Sequence, residues 1–433
     1  MYGNLNKPTS LKFLKLILVI LSFSTFIIGI YFTVVLLIPI KGGISSSLSF
    51  FITQISGFLM FLYFITTILL VKLIPTIKRR SLVKKCILVF GLTLTFLNAL
   101  PLIATPISIQ TAENEFNDAY GEYWRAQIPS SAESYFLPTQ FNLYNYFLGF
   151  SHRDCNVETD VKYYDNDGFQ LYFDVYYPKS TTAQLPGNNS VIIKIHGGSW
   201  QFGDKSLGNV LVLNKYLAAQ GYVVFDIQYG LLDAGGSNFI PTPDHVKGNL
   251  TLHDMVYQIG NFTKQLEKTF ASTYNANLDS VFIMGGSAGA HLTGVIGLGY
   301  NDPYFAGNFS NALNIKGIIP IYPPNFADPY FTHEPLSRLI PGDPLSNPLA
   351  FEKFTPSNLA DVNDPPAIIF QGLRDDLVPL INAETIKIAL NAKGVDCMLL
   401  TFPFAAHASD LIVGNTFSQV WVYYLERFLY LEQ

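Results

Sequence analysis

The first third of the chain is written in three long apolar stretches. Leu16 to Ile40 is an uncharged run of about 25 residues, which at about 1.5 Å per helical residue exceeds the roughly 30 Å of bilayer hydrocarbon. Phe50 to Leu73 is a second apolar run, uncharged until Lys72 at its end, and Cys86 to about Ile109 a third, interrupted by Asn98, Pro101 and Pro106. Residues 1–110 therefore predict a membrane anchor of about three transmembrane helices. A cleaved signal peptide is a poorer fit to the first run, because its apolar part is only about 7–15 residues long. The third run has a second reading, a helix lying along the interface or packed on the C-terminal domain.

After residue 160 the pattern changes to short β-branched runs separated by amphipathic, helix-compatible ones. A hairpin is expected at Val161–Tyr164 and Gln170–Tyr177. Further strands are expected at Val191–Ile195, Tyr222–Ile227, Val281–Met284, Ile315–Ile321, Ala367–Phe370 and Cys397–Phe402. Helices are expected at Gly208–Ala219, Leu252–Phe270, Ala288–Leu298, Ile381–Ala392 and Ser418–Leu431. This alternation predicts the α/β class, a mostly parallel sheet with helices on both faces, over residues 161–433. Residues 322–359, rich in Pro, Phe and Tyr and without a repeating pattern, are expected to form an insertion or lid over the site. Residues 111–160 carry Trp124, Tyr135, Phe136, Tyr146 and other aromatics. They read as a linker near the membrane surface or as a collar packed on the larger domain.

Composition agrees with that division. Hydrophobic residues make up 49% of the chain and charged residues 14%, as expected when apolar residues are concentrated in spans. The net charge of −5 and the absence of basic runs interleaved with aromatics leave no reason to expect a nucleic-acid partner. Lys72, Lys78, Arg79, Arg80, Lys84 and Lys85 crowd the second loop, whereas the first offers little beyond Lys41. Because basic loops stay cytoplasmic, this predicts an integral membrane protein with its N-terminus, which carries Lys7, Lys12 and Lys15, in the cytoplasm. Three crossings then leave residues 161–433 extracytoplasmic, at the cell surface or in an endomembrane lumen. The sequons at Asn188, Asn249, Asn261 and Asn308 are compatible with that side. Cys155 and Cys397 could pair only if their Cα atoms came within about 7 Å; two unpaired thiols is the alternative.

The chemistry sits at strand ends. Gly285-Gly286-Ser287-Ala288-Gly289 follows one expected strand and precedes a helix-compatible run, the context of a nucleophile elbow. Gly285 and Gly289 leave room for a sharp turn that holds Ser287 at the helix N-terminus. His196-Gly197-Gly198-Ser199-Trp200 follows an earlier strand. There the backbone N–H groups of Gly197 or Gly198, with that of Ala288, can form an oxyanion hole, each donor being worth roughly 3–4 kcal/mol in the transition state. His196 is expected to hold that loop rather than act as base. Chain order in such sheets runs Ser, then acid, then His. After residue 333 the only histidine is His407, which makes it the expected base. Within Gly372–Pro379 the acid is read as Asp375, with Asp376 and then Asp410 as the competitors. In this arrangement His407 deprotonates Ser287 while Asp375 fixes the imidazole tautomer. No metal or cofactor is implied.

On His196–Trp200, Gly285–Ala290 followed by His291, Asp226–Tyr229 and Gly372–Pro379, the segment from about Val161 to Leu431 resembles the carboxylesterase branch of the α/β hydrolases. This is the branch with H-G-G-x-W and G-x-S-A-G-A motifs, near the hormone-sensitive-lipase-like esterases, kynurenine formamidases and isoprenylcysteine methylesterases. Gln228-Tyr229 stands where that branch usually has Tyr-Arg. The resemblance implies a serine hydrolase of carboxylic esters, and the anchor and aromatic segments favour a moderately apolar or lipid-like ester as the small-molecule partner, with membrane lipids around the spans. An amidase or peptidase of the same fold, or an adhesion or receptor ectodomain that has lost catalysis, are the alternative readings. Membrane-bound methylesterases face the cytoplasm, whereas the charge pattern here puts the domain on the other side.

Overall fold

The computed structural model describes residues 7–74, 81–149, 154–166, 168–179, 184–207, 210–235 and 240–433. Lys78, Arg79 and Arg80, and the Gly208 start of one expected helix, lie outside the described residues.

The large sheet contains β1 (Cys155–Asn166), β2 (Phe169–Pro178), β3 (Ser190–Ile195) and β4 (Val223–Ile227). The two-residue strands β5 (Leu231–Leu232) and β6 (Lys247–Gly248) pair separately. The large sheet resumes with β7 (Asn277–Gly286), β8 (Ile315–Ile321), β9 (Ala367–Gly372) and β10 (Cys397–Phe402). Its order is β1-β2-β4-β3-β7-β8-β9-β10. The β1–β2 and β2–β4 pairs are antiparallel and every later pair is parallel.

Burial explains why the parallel strands read as unbroken apolar runs. Val191, Ile193, Val223, Phe225, Val281 and Ile283 face one core; Ile192, Val224, Phe282, Met284, Ile368 and Phe370 face the other. Helices Leu252–Gln265 and Ala288–Gly299 cover the first face, and Val210–Ala219 and Thr416–Glu432 the second. The expected helix over Leu252–Phe270 changes its geometry after Gln265, where a π-turn occupies Leu266–Phe270. Cys155 and Cys397 are buried free thiols on β1 and β10, the two opposite edges of the sheet, so they cannot pair.

N-terminal to the sheet lie α1 (Lys7–Leu37), α2 (Gly43–Ile52), α3 (Ser56–Leu73), α4 (Ser81–Ile103) and α5 (Thr105–Tyr120). Among the described residues three helical stretches are long and apolar enough to cross a membrane: Lys12–Leu37, Ser56–Leu73 and Ser81–Tyr120. Small residues bring their axes close. A Cβ on Gly29 of α1 would meet the Tyr63 ring of α3 at 2.7 Å, the close approach that small residues allow between membrane helices. Asn98 of α4 donates to Thr33 Oγ1 of α1 at 2.9 Å, a buried interhelical bond.

The third apolar run continues into contact with the sheet. Past Ala104 the helix restarts as α5, whose Glu115 accepts from Leu399 N of the edge strand β10 at 3.0 Å and pairs with Lys387 at 2.5 Å. Beyond it the aromatic segment is a packed collar. Phe116, Trp124, Phe136 and Leu137 are buried with Tyr424 and Phe428 of the last helix. Two-point contacts hold it, such as the Arg125–Glu113 pair, 2.5 Å for both oxygens.

Candidate active site

Every chemically equipped residue lies just past the C-terminal end of a parallel strand, where open α/β sheets gather their ligands. Ser287 follows β7 with φ 55° and ψ −121°, outside the regions that L-residues favour. It is locked there by Ser287 N donating to Ile321 O (2.9 Å) and His291 N donating to Ser287 O (3.0 Å). The sequence permits the turn because a Cβ on Gly289 would fall 2.1 Å from the Ile195 carbonyl oxygen, and one on Gly285 would strike the Gly289 carbonyl. Glycine at both positions lets helix Ala288–Gly299 abut β3 and β7 directly.

His407 lies on the loop after β10, with Nε2 2.9 Å from Ser287 Oγ and Nδ1 2.7 Å from Asp375 Oδ2. Asp375 follows β9, and its other oxygen accepts from Leu377 N (3.0 Å) and Val378 N (2.7 Å). Those bonds aim the carboxylate at the imidazole and fix which ring nitrogen faces it. Asp376 makes no such bond: neither of its buried carboxylate oxygens has a hydrogen-bond partner among the described residues. Asp410 does not take part either; its Oδ1 accepts from Tyr322 OH at 2.7 Å, and burial raises its carboxyl pKa.

The oxyanion side is assembled by the loop after β3. Gly197 lies against the serine, a Cβ there being 3.3 Å from Ser287 Cβ, and Gly198 has φ 125°. Ala288, the first residue of its helix, is buried next to them. His196 Nδ1 donates to Gly197 O at 2.7 Å while its ring stacks on Tyr229 with centroids 4.5 Å apart. Burial pushes its pKa down to about 4, so it is neutral at pH 7, and its ring is engaged by the loop rather than by Ser287. Tyr229 OH donates to His196 O at 3.0 Å; this residue, which departs from the usual Tyr-Arg pattern, thus braces the loop. Trp200 is buried edge-on against His291 (5.3 Å) and Phe331 (4.9 Å). Within residues 322–359, Phe331 thus packs on the oxyanion loop through Trp200, and Leu339, Phe351 and Phe354 also lie inside the core.

Two further residues flank the base without being among those the sequence pattern singles out. Tyr322, just past β8, lies tilted against the His407 ring with centroids 4.5 Å apart; its place after a strand is a usable clue. The second is Phe50 of α2, far away in sequence, whose ring lies 5.6 Å from His407. No local pattern announces it.

Sheet order, elbow and Ser–His–Asp geometry define an α/β hydrolase. The BD-FAE family model matches residues 173–390, half of the chain, and the chain belongs to this family of α/β-hydrolase esterases. The match includes Ser287 and Asp375 and ends before His407. The chain is similar to the probable carboxylic ester hydrolase LipM of Mycobacterium tuberculosis, at 26% identity over 270 residues, 60% of this chain and 58% of that one. It is similar to esterase LipC of the same organism at 26% over 262 residues, 58% of this chain and 60% of that one. It thus spans less than two thirds of the length of these relatives. Among solved structures, esterase B from Lactobacillus rhamnosis aligns with a TM-score of 0.46 at 20% identity, covering 63% of this chain and 82% of that one.

Proposed function

We propose that the protein is a membrane-anchored serine hydrolase of carboxylic esters. The observation that carries this reading is the continuous Ser287–His407–Asp375 hydrogen-bonded line, 2.9 and 2.7 Å, at the strand ends. His407 Nε2 takes the proton of Ser287 as Oγ attacks the ester carbonyl, and Asp375 stabilises the resulting imidazolium. The carbonyl oxygen, now negative, accepts N–H bonds from Gly197 or Gly198 and from Ala288. Collapse of the tetrahedral intermediate expels the alcohol, which leaves with the proton from His407; water then attacks the acyl-enzyme with His407 again as base and releases the acid.

The apolar helices and the aromatic collar favour an ester of moderately apolar or lipid-like character. Orientation with the catalytic domain outside the cytoplasm is supported by Lys72, Lys84 and Lys85 around the α3–α4 connection. It is further supported by contacts of the α2–α3 corner with the His407 loop, which require both to share one side of the bilayer.

The test is turnover by the full chain in detergent micelles of p-nitrophenyl esters of increasing acyl length, with matched anilides alongside. Ester hydrolysis that vanishes in Ser287→Ala is expected, with anilides turned over far more slowly. No turnover at any acyl length, or faster anilide than ester cleavage, would overturn the reading.

A further inference from the structure

The loop carrying His407 is irregular from Pro403 to Asn415, so its backbone polar groups need partners from elsewhere. They find them in the segment between the first two apolar helices. Gln54 Nε2 donates to Ala408 O at 3.1 Å, while Gln54 Oε1 accepts from Ile412 N at 2.7 Å and from Asn415 Nδ2 at 2.8 Å. Its side chain is thus joined to the residue next to His407 and to the residue that caps the last helix, for Asn415 Oδ1 accepts from Phe417 N and Ser418 N. Gln54 is 1% exposed. Ala408 has φ 56°, a costly conformation for a residue with a Cβ, which persists only where its surroundings hold it.

Neighbouring residues repeat the contact. Thr53 Oγ1 lies 3.3 Å from Ser409 Oγ, and Phe50 flanks the imidazole. Phe50, Thr53 and Gln54 occupy one face at helical spacing. On the opposite side Ile44 and Phe51 are exposed. From the collar, Tyr146 clamps the same corner, accepting from Gly57 N at 2.8 Å and donating to Gln54 O at 3.1 Å.

We infer that Phe50, Thr53 and Gln54 of the inter-helix segment are part of the active site, with Gln54 as a positioning residue that holds the His407 loop and Phe50 as the wall beside the base. The membrane anchor then does more than tether: the base reaches its working geometry only with the α2–α3 corner docked. This rests on the reading of Ser287 and His407 as catalytic.

The experiment compares full-length wild type, Gln54→Ala, Gln54→Glu, Thr53→Val and, as a control on the exposed side of α2, Phe51→Ala. A short soluble p-nitrophenyl ester reports kcat and KM, and a fluorophosphonate reports the rate and final extent of serine labelling. Misplacing a catalytic group by about 1 Å can cost up to roughly a hundredfold. Gln54→Ala should therefore lower kcat and labelling rate about tenfold or more, with KM little changed and final labelling complete. Gln54→Glu, which keeps the acceptor, should fall between, and Phe51→Ala should match wild type. Wild-type kcat in both Gln54 variants, or a loss borne by KM alone, overturns the inference. If Gln54→Ala fails to fold, shown by incomplete final labelling, Gln54→Glu and Thr53→Val decide by the same criteria. A wild type that neither hydrolyses nor labels sinks the underlying hydrolase reading instead.

Discussion

Ser287, Asp375 and His407 stand out as residues because each follows a strand, and strand ends in this fold collect chemistry. The choice between the adjacent aspartates is a matter of spacing from Gly372 and Pro379; the structure brings Asp375 to His407 and leaves Asp376 without a partner among the described residues. Asp375→Asn should lower kcat by up to about 10⁴-fold, because the imidazole loses the partner that sets its tautomer. Asp376→Asn should stay near wild type; a comparable loss in that variant would count against the assignment. Two other buried histidines act on stability. Burial lowers the pKa of both His196 and His291 from 6.5 to about 4. Between about pH 6.5 and 4 the unfolded chain binds protons that the native state refuses, so stability is full above that window and lost on descending through it. Each histidine contributes up to roughly 3 kcal/mol to that loss. His291 Nε2 also meets Phe354 O at 2.8 Å, a bond that a glutamine amide could replace. His291→Gln should therefore show a smaller fall in melting temperature from pH 7 to 4.5 than wild type; an identical fall would refute the attribution.

At the scale of elements, the strands are readable because burial on both faces leaves unbroken β-branched runs, and the expected Ile315–Ile321 and Cys397–Phe402 coincide with β8 and β10. The collar is not readable between its two alternatives, since aromatic residues suit either a bilayer surface or a protein interior. What decides it is a tertiary contact at Glu426 of the last helix, fully buried. Its carboxylate accepts from Leu137 N (2.6 Å), Tyr216 OH (2.7 Å), Gln220 Nε2 (2.9 Å) and the Arg427 guanidinium (2.9 Å). Burial raises its pKa to about 7. Removing one member of such a buried set costs about 3–5 kcal/mol. Glu426→Ala should accordingly lower the unfolding midpoint well below that of wild type and loosen the collar to protease, with Glu426→Gln milder. An unchanged midpoint in both variants would mean that the carboxylate does not fasten the collar.

For the whole molecule, hydropathy locates the apolar helices but says nothing of how they meet the sheet, because Gln54 and Ile412 in the loop of His407 are 358 positions apart and no local pattern couples them. The bundle and the hydrolase domain join at that corner, and Tyr146, α5 and the last helix extend the contact around it. The central claim, an activated Ser287 on the far side of a membrane from the basic α3–α4 connection, is tested most directly by a membrane-impermeant fluorophosphonate applied to intact cells or sealed vesicles, wild type against Ser287→Ala. Labelling of the intact samples that disappears in the mutant is the expected result. Labelling only after permeabilisation would contradict the orientation, and no labelling under either condition would show that Ser287 is not an activated nucleophile.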